Sequence, residues 1–449
     1  MTPVARNKEV HDVTILTEHA VPQQRAVRPQ RTPRRQGAPR DSGLRVVIVH
    51  DYLTQRGGAE RVVLALLKAF PGARLVTSVY NPETTFPEFG KYDIERTWLD
   101  RVPAFRADPR RALPLLPAVF SGIRLDDVDL VICSSSGWAH GVQTTATKLV
   151  YCHTPARWLH VGNDYLASQG RATKAVMAAL TPYLRWWDRR AERASTAYFA
   201  NSSVVADRIS SVYGRSSQIL APPITLDSRG EQHPMAGIEP GFLLAVSRPR
   251  GYKHTAVVCE AVAAMPGERL VVVGGLPAPE GERSTWPATL TGVTDVSDAE
   301  LRWLYANCSA LVTASHEDFG LTPLEANTFG KPAVVLRAGG FLDTLVEGTT
   351  GTFINELSSE AVQRAVRELR GLALDPQVIA AHGERYSLRS FARTLHDAAY
   401  AAADPAGPID SPDSPSPQLH AARANLRWAI AALLSVGAVL TSLVAATTT

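Results

Sequence analysis

The chain has 449 residues, of which 45% are apolar and 20% charged. That length exceeds the roughly 250–300 residues one hydrophobic core can organise, so at least two domains are expected, and the composition excludes a fibrous or wholly disordered protein. The formal net charge of +4 belongs to residues 1–43, where Arg6, Lys8, Arg25, Arg28, Arg31, Arg34, Arg35 and Arg40 outnumber Glu9, Asp12, Glu18 and Asp41. The rest of the chain is balanced, which argues against an extended basic face and so against a nucleic-acid enzyme. Cys133, Cys152, Cys259 and Cys308 show no C-x-x-C spacing and read as buried thiols of a reducing compartment. The first twenty residues lack the apolar stretch of a secretory signal.

Residues 1–43, rich in Arg, Pro and Gln, read as a disordered arm. Their arginines are spread out, which fits a solvated tail better than a lipid-binding cluster. Order is expected to begin at Leu44–Val49, a short apolar run suited to a buried parallel strand. Similar runs follow at Leu75–Val79, Leu130–Cys133, Leu149–Cys152 and Ala197–Ala200, with helical patterns at Glu60–Phe70 and Thr173–Ala194. This alternation predicts a doubly wound first domain over 44–222. The turn-rich stretch 223–240 reads as a linker. Strands at Phe242–Val246, Arg269–Val273, Ala310–Thr313 and Ala333–Leu336 then predict a second domain over 241–385, followed by a helical segment over 386–403. Two such α/β domains leave a cleft between the carboxyl ends of their strands, where ligands of these sheets bind. Residues 404–427 form a Pro/Ser/Asp-rich linker, and Trp428–Ala446 is a nineteen-residue stretch without a charge. As a helix it would span ~28 Å, close to a bilayer core of about 30 Å. A C-terminal membrane anchor is therefore expected over 428–446, with Arg423 and Arg427 holding the body on the cytoplasmic side of the plasma membrane.

Four motifs lie at predicted strand ends. The first, His50-Asp51-Tyr52-Leu53-Thr54-Gln55-Arg56-Gly57-Gly58-Ala59-Glu60, puts a glycine turn before a helix start, where backbone N–H groups can approach a phosphate or sugar. It has neither the dinucleotide G-x-G-x-x-G spacing nor a P-loop ending. The second, Ser247-Arg248-Pro249-Arg250-Gly251-Tyr252-Lys253-His254, gathers basic groups suited to a diphosphate and its departing charge. The third runs from Ser315 to Ala326: Glu317 stands before a helix start at Gly320–Thr322, and Glu325 lies eight positions on, inside that helix. One carboxylate can reach a ligand over the helix start while the other accepts hydrogen bonds from a diol. Gly339-Gly340 is expected to add a close backbone approach at the same edge. In the fourth, Tyr151-Cys152-His153-Thr154-Pro155-Ala156-Arg157, His153 is expected to face the cleft from the first domain. Asp127-Val128-Asp129 precedes its strand instead of following it, the wrong edge for a ligand, and reads as polar punctuation.

At these residues the sequence resembles the retaining family 4 glycosyltransferases of the GT-B fold, over about residues 44–403. The Glu317-to-Glu325 pattern within "HEDFGLTPLEANTFGKP" carries most of the likeness, with "SRPRGYK" and "GGAE" in support. "IVHDYLTQRGGAERV", "YCHTPARWL", "LRWWDRRAERA" and "FANSSVVADRI" look like the bacterial mannosyltransferase branch acting on lipid-linked or polysaccharide acceptors. The resemblance implies two Rossmann-like domains, with the segment 386–403 crossing back onto the first. It implies that Arg248 and Lys253 bind the donor diphosphate, Glu325 the ribose hydroxyls and Glu317 the transferred sugar, with the amides of Phe319, Gly320, Leu321 and Thr322 along sugar and phosphates. His153 would touch the sugar, and Gly57 and Gly58 would line the donor–acceptor junction. It implies no metal and no cofactor beyond a nucleotide-sugar substrate, GDP-mannose foremost.

Transfer of mannose to a membrane-associated acceptor in envelope glycan synthesis is thus the expected activity. Alternatives are a UDP-sugar donor, sugar-nucleotide epimerisation, or a non-catalytic sugar-nucleotide-binding subunit of an envelope assembly. Epimerisation calls for cleft carboxylates and histidines beyond Glu317 that the sequence does not supply. The filled Arg248, Lys253, Glu317 and Glu325 set speaks against a subunit without catalysis. "LRWWDRRAERA" reads as an amphipathic helix whose tryptophans, Trp186 and Trp187, pack inward.

Overall fold

The computed structural model describes residues 44–160, 171–247, 253–278 and 285–403. The expected arm, the linker 404–427, the expected anchor 428–446 and Arg248 lie outside the described residues. Among the described residues no helix is long and apolar enough to cross a membrane.

The first sheet contains β1 (Val46–His50), β2 (Arg74–Thr77), β3 (Ile94–Arg96), β4 (Leu130–Ser135), β5 (Thr147–Cys152), β6 (Ala197–Ala200) and β7 (Gln218–Ile219), all parallel, in the order β3-β2-β1-β4-β5-β6-β7. Its helices are α1 (Gly58–Ala69), α2 (Pro103–Ala107), α3 (Leu116–Gly122), α4 (Arg157–His160), α5 (Arg171–Arg193) and α6 (Ser203–Tyr213). Side chains alternate across β1: Val47 and Val49 join a core under α3 and α5, while Val46 and Ile48 join one under α1. Apolar residues on both faces are what a parallel sheet covered by helices requires. At the amino edge Asp129 accepts from Arg45 N at 2.8 Å and pairs with its guanidinium, and Asp127 pairs with Arg74 at 3.3 Å. The Asp-x-Asp therefore fastens strand starts.

The second sheet, order β10-β9-β8-β11-β12-β13, holds β8 (Leu243–Val246), β9 (Leu270–Val273), β10 (Leu290–Val293), β11 (Ala310–Thr313), β12 (Ala333–Leu336) and β13 (Gly351–Ile354). Its helices are α7 (Thr255–Ala263), α8 (Asp298–Asn307), α9 (Leu321–Thr328), α10 (Phe341–Thr344), α11 (Ser359–Gly371) and α12 (Pro376–Glu384). The last helix, α13 (Leu388–Ala403), returns to the first sheet, where Phe391, Leu395 and Ala399 enter the core beside α1. In both sheets strand order reverses beside the first strand, between β1 and β4 and between β8 and β11, and such switch points open the crevices used by ligands.

One expectation fails within α5. Trp187 is buried and donates through Nε1 to Ser121 Oγ at 2.8 Å, but Trp186 is 50% exposed. Adjacent residues on a helix are ~100° apart, so the buried stripe takes one tryptophan and leaves the other outside.

Candidate functional site

The second-domain half of the site forms where β8 and β11 end. A shallow pocket there is lined by Ser247, Lys253, Thr255, Thr313 and Ala314. Lys253 donates to Glu317 Oε1, joining the loop after β8 to the loop after β11 in an ion pair. Gly320, whose φ of 87° suits glycine, is the N-cap of α9 and supplies no side-chain cap. The first N–H groups of the helix are thus left for a ligand, and the helix start favours an anion. Glu325 accepts from Tyr305 Oη at 2.7 Å. Burial pushes the Glu325 carboxyl above its ordinary value, opposed by that hydrogen bond and by the charge of Arg61 from α1. Phe319 turns into a small core with Ile224 and Leu324, so only its backbone is placed for a ligand.

Gly339 and Gly340 make their close backbone approach to the loop that carries Glu317. A Cβ on Gly340 would lie 2.3 Å from Phe319 Cα, and Gly340 N–H donates to Glu317 O at 2.9 Å. A Cβ on Gly339 would lie 2.2 Å from the same carbonyl. The close approach these glycines permit to the Glu317–Phe319 backbone fixes the loop that carries Glu317.

The first-domain half lies at the ends of β1, β4 and β5. His50 Nδ1 meets Ser134 O and Ser134 Oγ, each at 3.0 Å, and Ser134 Oγ meets His153 Nε2 at 2.8 Å. Burial, with a smaller push from the charge of His50, lowers the His153 pKa to about 3, so the ring is neutral. Asp51 accepts from the amides of Ser136 at 2.7 Å, Trp138 at 3.2 Å and Ala139 at 2.7 Å, clamping the turn after β4. Behind it, Asp188 accepts from His140 Nε2 at 3.1 Å and His160 Nε2 at 2.8 Å. Burial opposes the Asp188 charge, yet these two bonds outweigh it and hold the carboxyl down at about 2. Gly57 is the N-cap of α1, with Gly58 next, and Gly58 faces open space. Glu60, in the first turn of α1, is buried, and burial raises its pKa.

The two halves are tied together. Arg157 and Arg208 both donate to Asp318 Oδ1, and Arg208 also donates to Thr154 Oγ1 at 2.6 Å. Arg208 thereby bridges the neighbours in sequence of His153 and Glu317. Asp343 accepts from Ser203 N and Ser203 Oγ, each at 2.7 Å. Thr154 and Asp318, the sequence neighbours of His153 and Glu317, are therefore held at one junction, with Lys253 paired to Glu317 and Glu325 held apart by Tyr305. Sequence reasoning missed Ser134, Arg61, Tyr305, Asp318 and Asp343 as members. Among the described residues no group of three or more His, Cys, Asp or Glu side chains is placed to hold a metal ion.

Comparison with known proteins follows this division. Residues 56–227 match the family described as Glycosyltransferase Family 4, and residues 231–372 match Glycosyl transferases group 1. The chain is 30% identical over 107 residues to the alpha-1,3/1,6-mannosyltransferase ALG2 of Dictyostelium discoideum, covering 22% of this chain and 25% of that protein. It is 30% identical over 187 residues to a D-inositol 3-phosphate glycosyltransferase of Actinosynnema mirum, covering 34% of this chain and 44% of that one. Both matches span less than half of the relative's length. Human ALG2 is 24% identical over 364 residues, covering 70% of this chain and 85% of its own. Among solved structures, Anabaena HepE in complex with UDP-glucose superposes with a TM-score of 0.55 at 16% identity, covering 79% of this chain and 99% of HepE. That likeness is one of fold, the two-domain GT-B arrangement.

Proposed function

We propose that this chain, a glycosyltransferase built from a family 4 and a group 1 domain, moves a hexosyl group with retention from a nucleotide sugar, GDP-mannose foremost, to a lipid-linked or glycan acceptor. The observation that carries this reading is the meeting of Lys253 and Glu317 at the uncapped start of α9, with Glu325 held by Tyr305 behind it. The mannosyl group is supported by the likeness to the ALG2 mannosyltransferases. In this reading the donor diphosphate lies over the α9 N–H groups and draws Lys253 from Glu317, leaving that carboxylate for sugar hydroxyls. Arg248 joins Lys253 on the diphosphate, and Glu325 takes the ribose diol. The bond from the anomeric carbon to the phosphate oxygen breaks while the acceptor oxygen bonds on the same face. The acceptor proton passes to the departing phosphate. Lys253 and the helix start hold the charge that develops there, which lowers the barrier more than it tightens ground-state binding. The uncharged stretch 428–446, preceded by Arg423 and Arg427, supports work at the cytoplasmic face of a membrane.

Purified full chain with GDP-mannose and polyprenyl-linked acceptors is expected to give mannosylated lipid. Turnover only with UDP-sugars would move the donor assignment, and no transfer from any nucleotide sugar would end the reading. The D-inositol 3-phosphate glycosyltransferase relatives favour a second acceptor class, a phosphorylated polyol, which belongs in the same panel.

A further inference from the structure

We propose that Ser134 and His50 fix the tautomer of His153, presenting it to the ligand as a neutral ring that donates from Nδ1. The inference rests on the reading that His153 faces the donor sugar.

The sheet order lays the three side chains side by side. β4 sits between β1 and β5, His50 and Ser134 are paired in register, and His153 follows the last residue of β5. Ser134 O is a carbonyl and can only accept, so the His50 Nδ1 facing it at 3.0 Å carries the hydrogen. That hydrogen is shared with Ser134 Oγ, also at 3.0 Å, which makes Oγ an acceptor toward His50. The Ser134 hydroxyl is fully buried and its own hydrogen needs an acceptor, which His153 Nε2 supplies at 2.8 Å. The reverse arrangement, His153 donating from Nε2, gives Oγ two donors and leaves a buried O–H unpaired. With Nε2 accepting, the His153 proton stands on Nδ1. The ring's low pKa, set by burial and His50, agrees with a single proton.

The rest of the residue is held still. His153 N–H donates to Ser135 O at 2.9 Å, and Asn201 Nδ2 donates to His153 O at 3.1 Å. The ring stands edge-on to Tyr151 with centroids 5.2 Å apart. Nδ1 has no hydrogen-bond partner among the described residues. It is therefore the ring atom left for a ligand, and as a donor it selects a sugar hydroxyl or phosphate oxygen. It cannot take the acceptor's proton. His153 is then the contact, and Ser134 and His50 are positioning residues that act through it.

The test is nitrogen NMR on full chain labelled with 15N-histidine, with the His153 signals identified by their loss in His153→Gln. The expected spectrum has Nδ1 protonated and Nε2 bare, unchanged from pH 5 to 8. Ser134→Ala should shift His153 toward the Nε2-protonated form and slow turnover by about tenfold or more, with KM moving less. Ser134→Thr, which keeps the hydroxyl, should restore both. A wild-type ring protonated on Nε2, or a tautomer unmoved in Ser134→Ala, would overturn the proposal. The wild-type spectrum decides even if the alanine variant does not fold. Adding GDP-mannose or UDP-glucose separates the two readings. An Nδ1-protonated ring whose signals ignore both donors would leave the tautomer standing and sink the contact with sugar.

Discussion

The two strand-end clusters that face each other are built on opposite principles. The first-domain cluster is largely buried and wired by hydrogen bonds, from His50 through Ser134 to His153 and from Asp51 to three amides, with Asp188 between two histidines behind them. The second-domain cluster relies on a charge pair that a ligand can exchange, Lys253 with Glu317, on a loop held by glycine packing. The contrast assigns shape to one half and charge to the other. A buried network keeps its geometry whatever binds, because any broken bond leaves an unpaired polar group. A part-buried ion pair gives up its partner at modest cost when a diphosphate arrives.

The largest expected effect comes from removing the exchangeable charge. Glu317→Ala or Lys253→Ala should lower transfer by about 100-fold or more with the fold intact, the range seen when one preorganised transition-state contact is lost. Steady-state kinetics beside a melting curve checks this, and full activity in either variant would break the division between shape and charge. Next, Asp188→Asn should cost about 3 kcal/mol of stability, since it leaves two buried imidazoles without their carboxylate. The acid side sharpens the point. The Asp188 carboxyl is held at about 2, below its ordinary value of 3.8, so the folded state keeps the charge where the unfolded state takes up a proton. Its stabilisation is complete above that ordinary value and fades as pH falls toward 2. Denaturant melts at stepped pH should show this limb in the wild type and not in Asp188→Asn.

Asp318 joins the halves, so Asp318→Ala tests whether shape and charge must be held together. It frees Arg157 and Arg208 at once, and about tenfold loss in kcat/KM is expected, with Arg157→Ala adding little in the double variant. Additive losses would show that the arginines act separately. The smallest effect is that of Tyr305→Phe, which removes one hydrogen bond to Glu325 and should weaken donor binding several-fold, about 1 kcal/mol, by calorimetry.

Much of the fold is legible in the sequence because central parallel strands are apolar on both faces. Ala197–Ala200, Ala310–Thr313 and Ala333–Leu336 are read to the residue. The four strands that sequence reasoning passed over, β3, β7, β10 and β13, are the four sheet edges. An edge strand has one neighbour and less need of an apolar run: Ile94–Arg96 reads IER, Gln218–Ile219 has two residues, and Leu290–Val293 carries a glycine. In the site, His153, Lys253 and Glu317 stand out because each follows a strand, and Glu325 because it lies eight positions after Glu317 in the helix that follows. Ser134 is hidden inside an apolar strand, and its link to His50 and His153 exists only through sheet order. Tyr305 lies on α8 and Arg61 on α1 of the first domain, so neither is tied to Glu325 in a linear reading. Asp318 looks like one more solvated carboxylate until two arginines from the other domain are seen on it.

The division between halves is tested most directly by donor binding, measured by calorimetry on the wild type, Lys253→Ala and Asp188→Asn. A nucleoside diphosphate sugar should bind the wild type and the folded Asp188→Asn alike, and Lys253→Ala at least about tenfold more weakly, the loss of one charged hydrogen bond. Equal affinity for Lys253→Ala, or no binding of any nucleotide sugar to the wild type, would contradict the account.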